Sequence, residues 1–131
     1  MLDHVSVTVS DLARAEEFYD AIFLALGVKK VGSDFENAWI GYGNRADEHQ
    51  PDLTYFSVRL GPKPEDATRR HWCFKASTRK EVDEFWRSGI SKGGVCNGKP
   101  GLRDYHRSYY AAFLLDPDGN RIEVVCHRAD D

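Results

Sequence analysis

The spacing of hydrophobic and polar positions changes period along the chain, and the same order of changes occurs twice. Residues 2–9 alternate, with Val5, Val7 and Val9 on one face and His4, Ser6 and Thr8 on the other, the mark of a strand with two unlike faces. Ser10-Asp11 offers an N-cap, and Ala15, Phe18, Tyr19, Ile22 and Leu26 recur at helical spacing before Gly27, so a helix is expected over 12–26. Strands follow at 28–31, 37–42 and 53–60. Pro62 and Pro64 then bar both a helix and a central strand. Beyond them the pattern restarts: 69–76 alternates, with His71, Cys73 and Lys75 opposite Trp72, Phe74 and Ala76. Ser77-Thr78 caps a second helix over 79–91, whose stripe is Val82, Phe85, Trp86 and Ile90. A short strand near Val95, a long loop over 97–108, and strands at 109–115 and 121–126 complete the chain. The last two strands are joined by the turn Asp116-Pro117-Asp118-Gly119-Asn120.

The repetition extends to residue identity. A shift of 67 positions matches His4 with His71, Ser10 with Ser77, Glu17 with Glu84, Phe18 with Phe85, Gly27 with Gly94 and Val28 with Val95. The chain reads as an α+β duplication in a single domain over 1–131. Module one spans about 1–60, the linker 61–68 and module two about 69–127, each module β-α-β-β-β.

Composition narrows the functional classes. With 131 residues and 41% hydrophobic content the chain can bury a core unaided. A net charge of −3 and paired basic residues (Lys29-Lys30, Arg69-Arg70) that sit apart from each other argue against a nucleic-acid partner. No apolar run is long enough to span a membrane. The strand pattern begins at once, leaving no room for a signal peptide, and three cysteines without CxxC spacing suit a reducing compartment, so a cytoplasmic location is expected.

Three residues stand out chemically. His4 and His71 occupy equivalent places on the polar faces of their modules' first strands, which a pseudo-two-fold would bring together. Glu123 interrupts the β-branched run Arg121-Ile122-Glu123-Val124-Val125, where a carboxylate must be solvated, paired or bound to metal. Two imidazoles and a carboxylate suit one divalent cation, with Zn, Ni, Fe and Mn all admissible. In the loop before the penultimate strand, Arg103, His106, Tyr109 and Tyr110 are candidates to bind a small substrate, with His106 as an acid or base; only one of the two tyrosines can face a cavity. Trp39 and Phe56 are candidate cavity walls, while His127 and His49 read as exposed.

The segments Leu2-Asp3-His4-Val5, Val9-Ser10-Asp11-Leu12, Glu17-Phe18-Tyr19 and Asp116-Pro117-Asp118-Gly119-Asn120-Arg121-Ile122-Glu123 resemble the glyoxalase/bleomycin-resistance/extradiol-dioxygenase group, the vicinal oxygen chelate superfamily. The resemblance implies paired βαβββ modules whose curved mixed sheets enclose a central cavity, with one helix per module outside. It places His4, His71 and Glu123 on metal-ligand positions. It further implies a metal-dependent lyase or isomerase related to lactoylglutathione lyase, acting on a small oxygen-chelating molecule. The alternatives are a bleomycin-resistance-type binding protein or an extradiol ring-cleaving dioxygenase. A homodimer that exchanges modules is allowed. Glyoxalase I carries a fourth ligand, a glutamate on the last strand of module one. The 67-residue shift takes Glu123 to Phe56, which cannot ligate.

Overall fold

The computed structural model describes residues 1–65 and 69–129; the end of the expected linker, 66–68, lies outside them. Module one contains β1 (His4–Val9), α1 (Leu12–Ala25), β2 (Lys30–Asp34), β3 (Trp39–Gly43) and β4 (Tyr55–Leu60). Module two contains β5 (Trp72–Lys75), α2 (Arg79–Ser91), β6 (Val95–Leu102), β7 (Tyr110–Leu115) and β8 (Arg121–Cys126). The two sheets have the same order, β1-β4-β3-β2 and β5-β8-β7-β6, with β1–β4 and β5–β8 parallel and the other pairs antiparallel. The α+β duplication is therefore physical as well as sequential. No helix among the described residues is long and apolar enough to cross a membrane.

Each helix forms for the local reasons legible in the chain. The Asp11 carboxylate accepts from the Arg14 N–H at 3.0 Å and caps α1, and Gly27 at φ 69 takes the chain out of it. The Thr78 hydroxyl accepts from the Glu81 N–H at 3.1 Å, while the Glu81 carboxylate accepts from the Ser77 N–H at 2.6 Å, a capping box displaced by one residue. One sheet face in each module is sealed by the helices. Val7, Val9, Phe18, Tyr19, Ile22, Ile40 and Val58 from module one merge with Val82, Phe85, Leu114, Ile122 and Val124 from module two in one core. Each such side chain contributes about 1.5–3 kcal/mol by leaving water.

The turn Asp116–Asn120 locks the modules together. Asp116 accepts from the backbone N–H groups of Asp118 and Asn120, from Asn120 Nδ2, and from the Tyr19 hydroxyl of α1 at 2.7 Å. Asp118 accepts from the Ser10 N–H and hydroxyl at the mouth of α1. Burial raises both Tyr19 and Asp116 above their ordinary pKa values. The acidic turn is thus a structural clamp.

Two elements differ from expectation. The strand expected over 28–31 starts two residues later and runs Lys30–Asp34. The loop expected over 97–108 is shorter, because β6 continues to Leu102 through register shifts at Cys96/Gly98 and Gly98/Gly101. Gly98 adopts φ 154 and Pro100 follows, so the ladder is interrupted twice and the period-two pattern is lost.

Candidate functional site

The remaining face of each sheet is open. On the first lie His4, Ser6 and Thr8 of β1, Tyr55, Ser57 and Arg59 of β4, and Trp39 and Gly41 of β3, as the registers require. On the second lie Cys73 of β5, Glu123 and Val125 of β8, and Ala111 and Phe113 of β7. His71 and Tyr109, just outside their strands, also reach this face through their bonds to Glu123.

Glu123 is the centre of the second face. It is only 3% exposed, yet both carboxylate oxygens are partnered: Oε2 lies 3.0 Å from His71 Nε2, and Oε1 accepts from the Tyr109 hydroxyl at 2.7 Å. A buried carboxylate without such partners would cost several kcal/mol. Burial, followed by the bond to Glu123, pushes the Tyr109 phenol well above its ordinary range, so it remains a hydrogen-bond donor. Cys73 pairs with Glu123 across β5–β8, and desolvation plus the carboxylate likewise raise its thiol. An unactivated cysteine fits that setting.

His4 belongs to the first face. Its Nδ1 donates to Asp3 at 2.7 Å, which leaves the Nε2 lone pair pointing away from the carboxylate. A carboxylate behind an imidazole is a common way to orient a metal-binding histidine. His4 and His71 line one largely apolar cavity of about 490 Å³, with Tyr55, Phe56, Cys73 and Phe74. The pseudo-two-fold therefore brings both histidines to one cavity. It does not bring three ligands together: among the described residues, no group of three His, Cys, Asp or Glu side chains is placed to hold a metal ion. The donor chemistry of His4, His71 and Glu123 fits a divalent cation, and within one chain the convergence stops at the His71–Glu123 pair.

The other sequence candidates divide. Trp39 stands on the open face of module one, with the Arg45 guanidinium 5.4 Å from its ring. Phe56 lies on the helix-covered face, packed on Tyr19, Phe23 and Phe74, and reaches the 490 Å³ cavity as apolar floor. The residue equivalent to Glu123 is not Phe56 but Ser57. Ser6 and Cys73 correspond under the 67-residue shift, and their ladder partners are Ser57 and Glu123. Tyr110 also points to the helix side, donating to Asp83 at 2.6 Å beneath Arg79. Arg103 binds the Lys99 carbonyl at 2.6 Å and covers the Phe113 ring. His106 accepts from the Ser108 N–H at Nδ1, so its Nε2–H donates to His127 Nδ1 at 2.9 Å; both imidazoles pack against Tyr109. The role of His127 in that group, and of Arg45 and Arg59 on the first face, had no signal in local spacing.

The comparisons with known proteins agree with the architecture. The model of the Glyoxalase/Bleomycin resistance protein/Dioxygenase superfamily matches residues 1–124. The chain belongs to that superfamily. A virulence protein of Salmonella typhimurium, STM3117, is 27% identical over 126 residues, covering 94% of this chain and 81% of its own. The crystal structure of a glyoxalase/bleomycin resistance protein from Albidiferax ferrireducens has a TM-score of 0.78 at 28% identity, covering 97% of this chain and 98% of that one. The genomically encoded fosfomycin resistance protein of Listeria monocytogenes shares the fold, with a TM-score of 0.69 at 16% identity over 98% of this chain and 93% of its own.

Proposed function

We propose that this superfamily member is a cytoplasmic enzyme of lyase or isomerase type that acts on a small oxygen-chelating substrate. In this reading His71 and Glu123 hold one divalent cation together with His4 from a second copy of the chain. The observation that carries the reading is Glu123, a buried carboxylate between Ile122 and Val124 in β8, held at 3.0 Å by a half-exposed histidine on an open sheet face. Three free cysteines suit the reducing compartment. Pairing of copies accounts for the separate His4 and for Leu2 and Tyr105, which border the open faces while more than half exposed.

A bound cation would supply Lewis acidity to a substrate oxygen. The chain's own groups do the rest. Glu123 accepts or returns a proton through Oε2, and Tyr109 fixes Oε1 so that the carboxylate keeps one orientation. His106 and His127 hold the Tyr109 ring in place and act as positioning residues. Ser57 at the place equivalent to Glu123 leaves module one without a second carboxylate base, which separates this site from that of glyoxalase I.

Metal uptake by the purified protein tests the reading, measured by equilibrium dialysis with Zn, Ni, Fe and Mn on wild type and the His4→Ala, His71→Ala and Glu123→Gln variants. Saturable uptake by wild type, weakened at least about tenfold in each variant, is expected. Mixing His4→Ala with His71→Ala chains should restore part of the uptake, since one site of the mixed dimer keeps all three ligands. No uptake by wild type would overturn the metal-dependent reading. The second reading, a small-molecule binding protein, would then stand; the largely apolar cavity of about 490 Å³ favours it.

A further inference from the structure

The open face of module one carries a second concavity, distinct in chemistry from the apolar cavity. It is about 260 Å³, and its polar lining includes His4, Ser6, Arg45, Tyr55, Ser57 and Arg59. Two guanidinium groups face a single acid there, Asp3, whose carboxylate is engaged by His4 Nδ1. Asp34, beside Trp39 on the neighbouring strand, is occupied by the Asn37 side chain and N–H. The Arg59 side chain forms no hydrogen bond or ion pair with another described residue, although it projects from near the end of a strand paired on both sides.

The donors in this concavity are arranged in advance. Arg45 lies over the Tyr55 ring at 4.5 Å and the Trp39 ring at 5.4 Å, and donates to the Tyr55 oxygen at 3.2 Å. A guanidinium held over aromatic rings by its cationic carbon keeps N–H groups free for a planar or tetrahedral oxyanion. Tyr55, accepting from Arg45, retains its own O–H to donate. Ser6 and Ser57 share a hydrogen bond of 2.5 Å, which uses one of their two hydroxyl protons and leaves the other available. Glycines make room for the platform: a Cβ at Gly41 would lie 2.3 Å from the Tyr55 oxygen, and one at Gly32 would lie 2.4 Å from the Trp39 ring.

We propose that this pocket binds an oxyanion, a carboxylate or a phosphate-type group on a small molecule, clamped between Arg45 and Arg59 and oriented by the Tyr55 and Ser6–Ser57 hydroxyls. Because His4 lines both concavities, the proposal deepens the enzymatic reading by giving its substrate an anionic group; it rests on that reading only for the identity of the ligand as substrate. Anion binding itself needs no cation.

The test uses the full chain treated with chelator at low ionic strength, titrated calorimetrically with inorganic phosphate, methylphosphonate and acetate. Saturable binding is expected, weakening as salt is added, with Arg45→Ala and Arg59→Ala each lowering affinity at least about tenfold. Arg59→Lys should recover part of the loss. Since Arg45 also supports two rings, unfolding of its variant is checked by circular dichroism, and exposed Arg59 carries the test independently. Tighter phosphate than acetate identifies a phosphate-type group, and the reverse a carboxylate. Absence of saturable binding by all three probes overturns the proposal, as does binding that Arg59→Ala leaves intact. If metal uptake fails while anions bind, only the metal reading falls; the opposite result removes only the pocket.

Discussion

The two open faces descend from one pattern and now do opposite things with the same three positions. On module two the set is Cys73, Glu123 and Phe113; on module one the ladder puts Ser6, Ser57 and Gly41 in the corresponding places. Large and acidic side chains fill the second face and bury a carboxylate with its partners. Small and hydroxylic ones hollow out the first, leaving a pocket bordered by arginines. The histidine at the head of each module is common to both. Its neighbour differs, since His71 meets Glu123 while His4 meets Asp3. The two modules share the frame and the imidazoles, and the three floor positions give the negative charge to one face while Arg45 and Arg59 supply positive charge to the other.

The largest effect should separate the equivalent positions Glu123 and Ser57. Glu123→Gln keeps shape but removes the charge and the proton acceptor, and turnover of any substrate found should fall at least about 100-fold. Ser57→Ala should change kcat by less than about threefold, its effect falling on substrate affinity, where the Ser57 hydroxyl helps to orient the anion. Comparable losses in both variants would show that the faces share the chemistry. The reciprocal exchange is the next largest. Ser57→Glu places a carboxylate at a position 1% exposed, beside Arg45, Arg59 and the Tyr55 hydroxyl in the polar pocket. It occupies the place of the anion itself, so phosphate affinity should fall at least about 50-fold while the nearby guanidinium groups hold the loss in denaturant unfolding below about 1 kcal/mol. Unchanged phosphate affinity would mean that the first face does not carry the positive site, and the contrast drawn between the faces would fail.

Tyr109→Phe comes third. It removes one charge-assisted hydrogen bond from Glu123 Oε1 and leaves the packing of His106 and His127 on the ring in place. Such bonds contribute about 1.5–3 kcal/mol, so roughly tenfold or more in kcat is expected with little change in overall fold. An unchanged kcat would make the tyrosine an anchor for the loop and nothing more.

The frame of this site was legible in the sequence, and its facing was not. Strand alternation at His4 and His71, the two capped helices and the Pro117–Gly119 turn all express local rules, so they survive without knowledge of the fold. The pairing of Glu123 with a module-one position depends instead on register. The β8–β4 equivalence runs at 66 residues, whereas β5–β1 runs at 67, and that single step turns Phe56 inward and Ser57 outward. The unequal connections explain the slip: β3 and β4 are joined by 44–54, β7 and β8 by the tight turn 116–120. His127 looked like an isolated exposed residue because its partner His106 is 21 positions away. Arg45 and Arg59 lacked meaning until the ladder set Tyr55 and Ser57 beside them.

The smallest effect probes the charge on the second face without any substrate. Cys73 is exposed as a residue, but desolvation around its sulfur, with Glu123 next, raises its thiol pKa well above the ordinary value. A raised pKa means less thiolate at a given pH, and the thiolate is the species that alkylates. At pH 8 Cys73 should therefore react with iodoacetamide more slowly than Cys96, which is also exposed, while buried Cys126 waits for unfolding. Glu123→Gln removes the negative charge beside the thiol. The thiol pKa then falls and the thiolate fraction at pH 8 rises, so alkylation of Cys73 should accelerate about three- to tenfold. Cys96 in the same molecule serves as the control. Because desolvation is the larger cause and persists in the variant, Cys73 should still lag behind Cys96. Full equality would mean that the carboxylate alone restrains the thiol, and no acceleration would mean that its charge does not reach the sulfur across the β5–β8 pair.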